Sequence, residues 1–185
     1  MSKKVLTIFA DGFEEIEAVG VIDVLRRLGI EVVIASLSGA DPVRGAHDMK
    51  ISADIDFATV NPGDFDAVFL PGGMPGSTNL RDSEKVISLL RKMNDNGKIV
   101  SAICAAPIAL AKAGLLRGKT FTMYPGFEST LGGDLPTGNP AEADGNIITG
   151  KGPGCVFAFA KKLAFALGKG SDIAQLFGGM FVENK

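Results

Sequence analysis

The sequence predicts an α/β fold: a mostly parallel sheet with helices on both faces. Three observations carry that expectation. Apolar runs alternate with amphipathic segments from end to end, the runs are short and continuous like strands buried on both faces, and several stop abruptly at Gly, Pro or Asp. Alternation of this kind builds βαβ units, and in such sheets ligands bind at the carboxyl ends of the strands near a topological switch point.

The elements follow in order. Val5–Ala10 (VLTIFA) is a strand ended by Asp11-Gly12. Glu14–Leu28 carries a helical stripe of Ile16, Val19, Val21, Ile22, Val24, Leu25 and Leu28 and is stopped by Gly29. Ile30–Leu37 is the next strand, and Val43–Ala53 reads as a small hairpin or flap with Gly45 in its turn. Ala67–Leu70 is a core strand closed by Pro71-Gly72-Gly73, and Ser83–Asn94 is a helix with Gly97 as its stop. Lys98–Ile103 is a strand running directly into a helix over Ala105–Ala113. Phe121–Met123 and Ile147–Thr149 read as short strands, the latter preceded by an Asp144-Gly145 turn, and Val156–Leu167 as the closing amphipathic helix.

A length of 185 residues without repeat, linker or low-complexity segment suits one domain over 1–185. Hydrophobic residues at 46% and charged residues at 22% exclude disorder. A formal charge of −2 with no basic run argues against nucleic acid or a membrane surface as main partner. Cys104 and Cys155 cannot form a disulfide framework, so a reducing, cytoplasmic setting is expected. The first residues hold too short an apolar run for a signal peptide or membrane span.

Several chemistries common to this architecture are excluded at the strand ends. The turn after the first strand is Asp11-Gly12-Phe13-Glu14-Glu15, with neither dinucleotide glycines nor the charge to hold a pyrophosphate. Gly150-Lys151-Gly152-Pro153-Gly154 lacks the spacing and the Ser/Thr of a P-loop, and one His with two separated Cys argues against zinc. Cys104 remains, between a strand and a helix, with the small residues Ala102 and Ala106 on either side as a nucleophile elbow requires. A helix N-terminus there would favour the thiolate. Alternatively Cys104 is a buried structural cysteine. Glu14, Glu15 and Glu17 open the first helix. Acidic residues there complement the dipole, the expected role of Glu14 and Glu15, whereas Glu17 could turn toward the carboxyl edge and share a proton with a thiolate. Gly72 and Gly73 either form a plain tight turn or offer backbone N–H groups to an oxyanion or oxidised sulfur.

The segments ADGFEEIEAVGVIDVLRRLG, DAVFLPGGMPGSTNL, AICAAP and TGKGPG, taken together and in order, resemble the ThiJ/PfpI superfamily, specifically its DJ-one branch (the Parkinson-disease-associated deglycase and its bacterial relatives). The resemblance covers about residues 4–168. It implies a flavodoxin-like, class I glutamine-amidotransferase-like domain, a homodimer, and a reactive, peroxide-sensitive Cys104. Glu17 would be the protonated carboxyl bound to it, and Gly72, Gly73 and Ala105 would be the donors around the sulfur. Where hydrolase-like members of the family carry a His, this chain has Tyr124, so a Cys–His–acid triad cannot be assembled within one subunit and peptidase activity is put in doubt. His47, the sole histidine, lies in the flap, where family dimers bring a basic residue to the neighbouring pocket, and Arg27 is a further pocket candidate. Both could equally be solvated surface, and Cys155 a packed small side chain. The function implied is a cofactor-free enzyme acting on reactive dicarbonyls or glycated adducts. The alternative is an oxidative-stress sensor working through the Cys104 sulfinate. A thiamine-biosynthesis role has no supporting motif.

Overall fold

The computed structural model describes residues 3–182. β1 (Lys4–Phe9) leads through a tight loop into α1 (Glu15–Arg27), which stops where Gly29 takes a φ of +73°. β2 (Glu31–Ser36) is followed by an antiparallel hairpin of β3 (Val43–Arg44) and β4 (Lys50–Ile51), then by β5 (Ile55–Asp56). β6 (Ala67–Leu70), α2 (Gly76–Asp82) and α3 (Glu84–Asp95) come next, with Ser83 capping α3 by accepting from the Val86 N–H. β7 (Ile99–Ile103) and α4 (Pro107–Lys112) precede the antiparallel pair β8 (Ala141–Asp144) and β9 (Ile147–Gly150), and α5 (Val156–Ala166) and α6 (Gly170–Gly179) follow.

Seven strands form one sheet in the order β5-β2-β1-β6-β7-β9-β8, parallel throughout except where β8 meets β9. The chain leaves β1 toward β2 on one side and resumes with β6 on the other. The switch point therefore lies between the carboxyl ends of β1 and β6. Alternate residues feed two cores: Val5, Phe9, Ala67 and Phe69 join α1 and α5, while Leu6, Ile8, Val68 and Leu70 join α3 and α4. Burying each such large side chain stabilises the fold by about 1.5–3 kcal/mol. Phe69 meets Phe159 of α5 at 5.5 Å between ring centroids, so sheet and helix are tied at the strand that precedes the Pro71–Gly73 turn.

Several expectations are corrected. Phe121–Met123 is not a strand: both neighbours of β9 are already in place, and the Thr122 N–H reaches the Thr149 hydroxyl instead. The helix expected from Ala105 begins at Pro107, whose fixed φ suits a first turn. α6 lies beyond what reads as the closing helix. Its glycines hide it from propensity, and Ile173 and Phe177, one turn apart, bury it against α5. α2, β5 and β8 are too short for periodicity to reveal. The flap forms a hairpin as expected, but Gly45 has a second role: it bridges to Phe13, and a Cβ there would collide with the Glu15 carboxyl.

Candidate active site

Cys104 stands at the end of β7 in the left-handed region, with φ at +62°, an unusual conformation for a residue with a side chain. Neighbours hold the strain in place. The Cys104 N–H donates to the Gly150 carbonyl at 2.9 Å, and the Tyr124 N–H donates to the Cys104 carbonyl at 2.8 Å. Ala102 and Ala106 are fully buried beside it, and a Cβ on Gly150 would lie 2.7 Å from the Ile103 side chain, so strand, elbow and next strand meet only because these residues are small. Cys104 as a residue is buried, with 8% of its surface exposed. The apolar cleft lined by Ala143, Lys161 and Phe165 lies along β8 and α5 and includes neither Cys104 nor Glu17.

Glu17 reaches the same point from the first turn of α1 and is completely buried. Its Oε2 accepts from the Gly72 N–H at 2.8 Å, while Oε1 is buried without a partner of standard hydrogen-bond geometry. The Cys104 thiol is the side chain that engages this carboxyl. A Cβ on Gly72 would stand 2.5 Å from Glu17 Oε2 and 2.6 Å from the Cys104 Cβ, so only glycine lets the three segments meet. Gly73, at φ +87°, presses its backbone against Gly12 and Phe13. The N–H groups of Gly73 and Ala105 point to the sulfur.

Removing both acids from water penalises both charged forms. Glu17 is raised from 4.5 to about 7, chiefly by burial, with the Glu14 carboxylate adding to the rise and the thiol and Gly72 N–H opposing it. Cys104 is pushed up to about 12, first by burial and then by the facing Glu17 carboxylate, against the pull of the Ala105 and Gly73 N–H groups. The helix terminus is a weak influence on this thiol, since α4 has six residues and starts three positions later, while burial and the facing Glu17 carboxyl act against the thiolate and the Ala105 and Gly73 N–H groups act for it. Two protons belong to the pair jointly. When Glu17 holds one, it no longer repels a thiolate and becomes a donor to it.

Glu14 and Glu15 do more than complement a dipole. Glu14 is the N-cap of α1, its Oε2 accepting from the Glu17 N–H at 2.7 Å. Glu15 accepts from the His47 N–H at 2.6 Å and faces His47 Nδ1 at 2.7 Å, which raises the His47 pKa and lowers that of Glu15 despite the opposing effect of its burial. The Glu14-x-x-Glu17 spacing was the visible signal for the cap. Oxygen and nitrogen atoms of Glu14, Glu15 and His47 lie within 4.8 Å of one another, where the helix cap and the Glu15–His47 pair engage them. Tyr124 flanks the elbow and rests its ring on Gly152. His47 touches this neighbourhood through Glu15 rather than through the sulfur. Arg27 is not brought to the site within the chain. It lies well along α1 from Glu17, at a rise of roughly 15 Å. There it pairs with Asp23 at 2.7 Å. Cys155, partly buried, occupies the N-cap position of α5.

The chain as a whole is similar to several known proteins. The sequence is 40% identical over 184 residues to the dj-1beta protein of Drosophila melanogaster, covering 98% of both chains. It is 38% identical to the Parkinson disease protein 7 homolog of Danio rerio, covering 93% of both, and 35% identical to a protein of Pyrococcus abyssi named a deglycase, covering 86% of this chain and 96% of that one. The crystal structure of Drosophila DJ-1beta superposes with a TM-score of 0.92 over 99% of this chain and 100% of that one. Oxidized Toxoplasma gondii DJ-1, 34% identical, gives 0.91 over 97% and 98%. Residues 3–166 match the DJ-1/PfpI family, and with its flavodoxin-like sheet, the strained cysteine after β7 and the glycine turn after β6, the chain belongs to that family.

Proposed function

We propose that this protein is a cofactor-free cysteine enzyme of DJ-1 type, acting on reactive dicarbonyls or their glycated adducts through Cys104, with Glu17 as the proton shuttle. The observation that carries the reading is the buried Cys104–Glu17 pair, in which the raised Glu17 value of about 7 poises the carboxyl to give and take a proton near neutrality. In the first step the sulfur adds to an aldehyde carbon. The S–C bond forms, the carbonyl electrons move to oxygen, and Glu17 delivers the proton that makes the hemithioacetal hydroxyl. N–H groups of Gly73 and Ala105 stabilise the charge that moves between sulfur and oxygen. Relatives named deglycases support this class of substrate. Residues 1–185 act as one domain in a homodimer, with His47 and Arg27 available to the pocket of a neighbouring copy.

A second reading is favoured by one feature: Tyr124 stands where a His base would serve a hydrolase. Here peroxide delivers two oxygen atoms in turn to the Cys104 sulfur, each with release of one water, and Glu17 and the turn N–H groups hold the resulting sulfinate. One set of measurements separates the two. Purified parent should consume methylglyoxal and deglycate a model peptide, with activity tracking the protein through purification. Cys104→Ser should abolish turnover, Glu17→Gln should lower it roughly 100-fold, and Tyr124→Phe should matter much less. If the parent shows no turnover while peptide mapping finds the Cys104 sulfinate after limited peroxide, the second reading replaces the first.

A further inference from the structure

The start of α1 departs from the usual capping box, in which a Glu three residues after the N-cap turns back to accept the N-cap's own N–H. In this chain Gly72 is inserted into the exchange. The Glu17 N–H donates to Glu14 Oε2 at 2.7 Å, the Glu14 N–H donates to the Gly72 carbonyl at 2.9 Å, and the Gly72 N–H donates to Glu17 Oε2 at 2.8 Å. These bonds close a ring through both carboxyl groups and the glycine turn. Ser, Thr, Asp and Asn are the favoured N-caps, and a serine would satisfy the same N–H. What a glutamate of longer reach adds is a charge held against Glu17. Glu14 is 8% exposed, and among the described residues no Lys or Arg forms an ion pair with it.

We propose that Glu14 is a positioning residue for the Cys104–Glu17 pair: its buried carboxylate, locked in this ring, biases the shared proton onto Glu17 and so leaves the negative charge on sulfur. The inference rests on Cys104 and Glu17 being the reacting pair. The groups facing Glu17 leave this role to Glu14. Cys104 approaches from the elbow, Gly72 brings no side chain, Tyr124 flanks the elbow, and the Glu15–His47 pair on the flap side lies beside Glu14 with opposite charges in contact. The Glu14 carboxylate is bonded to the Glu17 backbone and raises Glu17, while Cys104 approaches from the other side of the glycine turn, so the charge weighs more on the carboxyl's proton than on the thiol's and changes the preference between the two positions.

The test is the pH dependence of Cys104 alkylation by iodoacetamide, assigned by peptide mass mapping, in the parent, Glu14→Gln and Glu14→Ser. Gln retains an acceptor for the Glu17 N–H, and Ser is a preferred cap, so both variants remove the charge while keeping the helix start. In both, the rate plateau should fall about threefold and the midpoint of the acid limb should move down by about half a pH unit. Rates well below that midpoint should coincide with the parent, because Glu17 is protonated there in every variant. Glu84→Gln, at an exposed carboxylate in the first turn of α3, should leave the profile unchanged. Superimposable profiles for all three proteins, or an equal fall at every pH as expected from a merely structural cap, would overturn the inference. A parent whose Cys104 is not alkylated would overturn the reading of the pair itself, whereas failure confined to the Glu14 variants overturns only the role of Glu14.

Discussion

Glu17 illustrates what burial of one carboxyl costs and provides. In the folded chain it holds its proton up to about 7, whereas the unfolded chain releases it near 4.5. The folded state therefore binds the additional proton between those values, so this group's contribution to stability is complete below pH 4.5 and is lost as pH rises through about 7. The loss amounts to at most about 3 kcal/mol. Glu17→Gln removes the titration but keeps an acceptor for the Gly72 N–H. Urea unfolding at pH 5 and pH 8 should show the parent losing up to that amount and the variant losing less. Equal pH dependence in the two proteins would mean that Glu17 does not carry the buried proton.

Elements meet at this site because one of them has no side chain. The turn after β6 slides between α1 and the β7 elbow only at Gly72, where the backbone is not in the left-handed region and the constraint is purely steric. Gly72→Ala would place a methyl 2.6 Å from the Cys104 Cβ and 3.0 Å from the Ile103 carbonyl, both on rigid backbone. Overpacking of this kind costs about 1–3 kcal/mol. The expected outcome is a modest loss of stability by denaturant titration together with a loss of Cys104 alkylation of about tenfold or more, since the displaced segment carries Glu17 or the cysteine. Gly154→Ala, with no atom within 4 Å of the new methyl, should change neither. A Gly72→Ala protein that reacts like the parent would show that the close approach is incidental.

At the scale of the molecule, large apolar side chains remain outside the two cores. Ile16 is 62% exposed and Val19 46% on α1, and Phe157 is 41% exposed on α5, the helix that α1 meets where Gly20 faces Val156. We propose that this face is covered by a second copy, which also accounts for the flap carrying His47 beside it. Sedimentation at micromolar concentration should give a dimer for the parent and a monomer for Val19→Glu. A monomeric parent across that range would return His47 and Arg27 to the ordinary surface. No helix among the described residues is long and apolar enough to cross a membrane.

The sequence by itself determined the sheet, because VLTIFA, AVFL and KIVSAI are strands buried on both faces and their apolar runs need no tertiary information to be read. It also determined the elbow, since a cysteine between a buried strand and a helix, flanked by alanines, is a local pattern. It could not show α6, whose helicity depends on Ile173 and Phe177 finding α5, nor the side-chain pairing that denies Phe121–Met123 a ladder. Glu14 and Glu15 looked alike, two acids in a first turn. Only folding set Glu14 into a ring with Gly72 and Glu15 against His47, because both partners come from distant loops. The sharing of a proton between Cys104 and Glu17 was likewise beyond reach: a local dipole argument concerns the thiol alone, while the desolvation and the facing carboxyl exist only once β7, α1 and the turn after β6 have met.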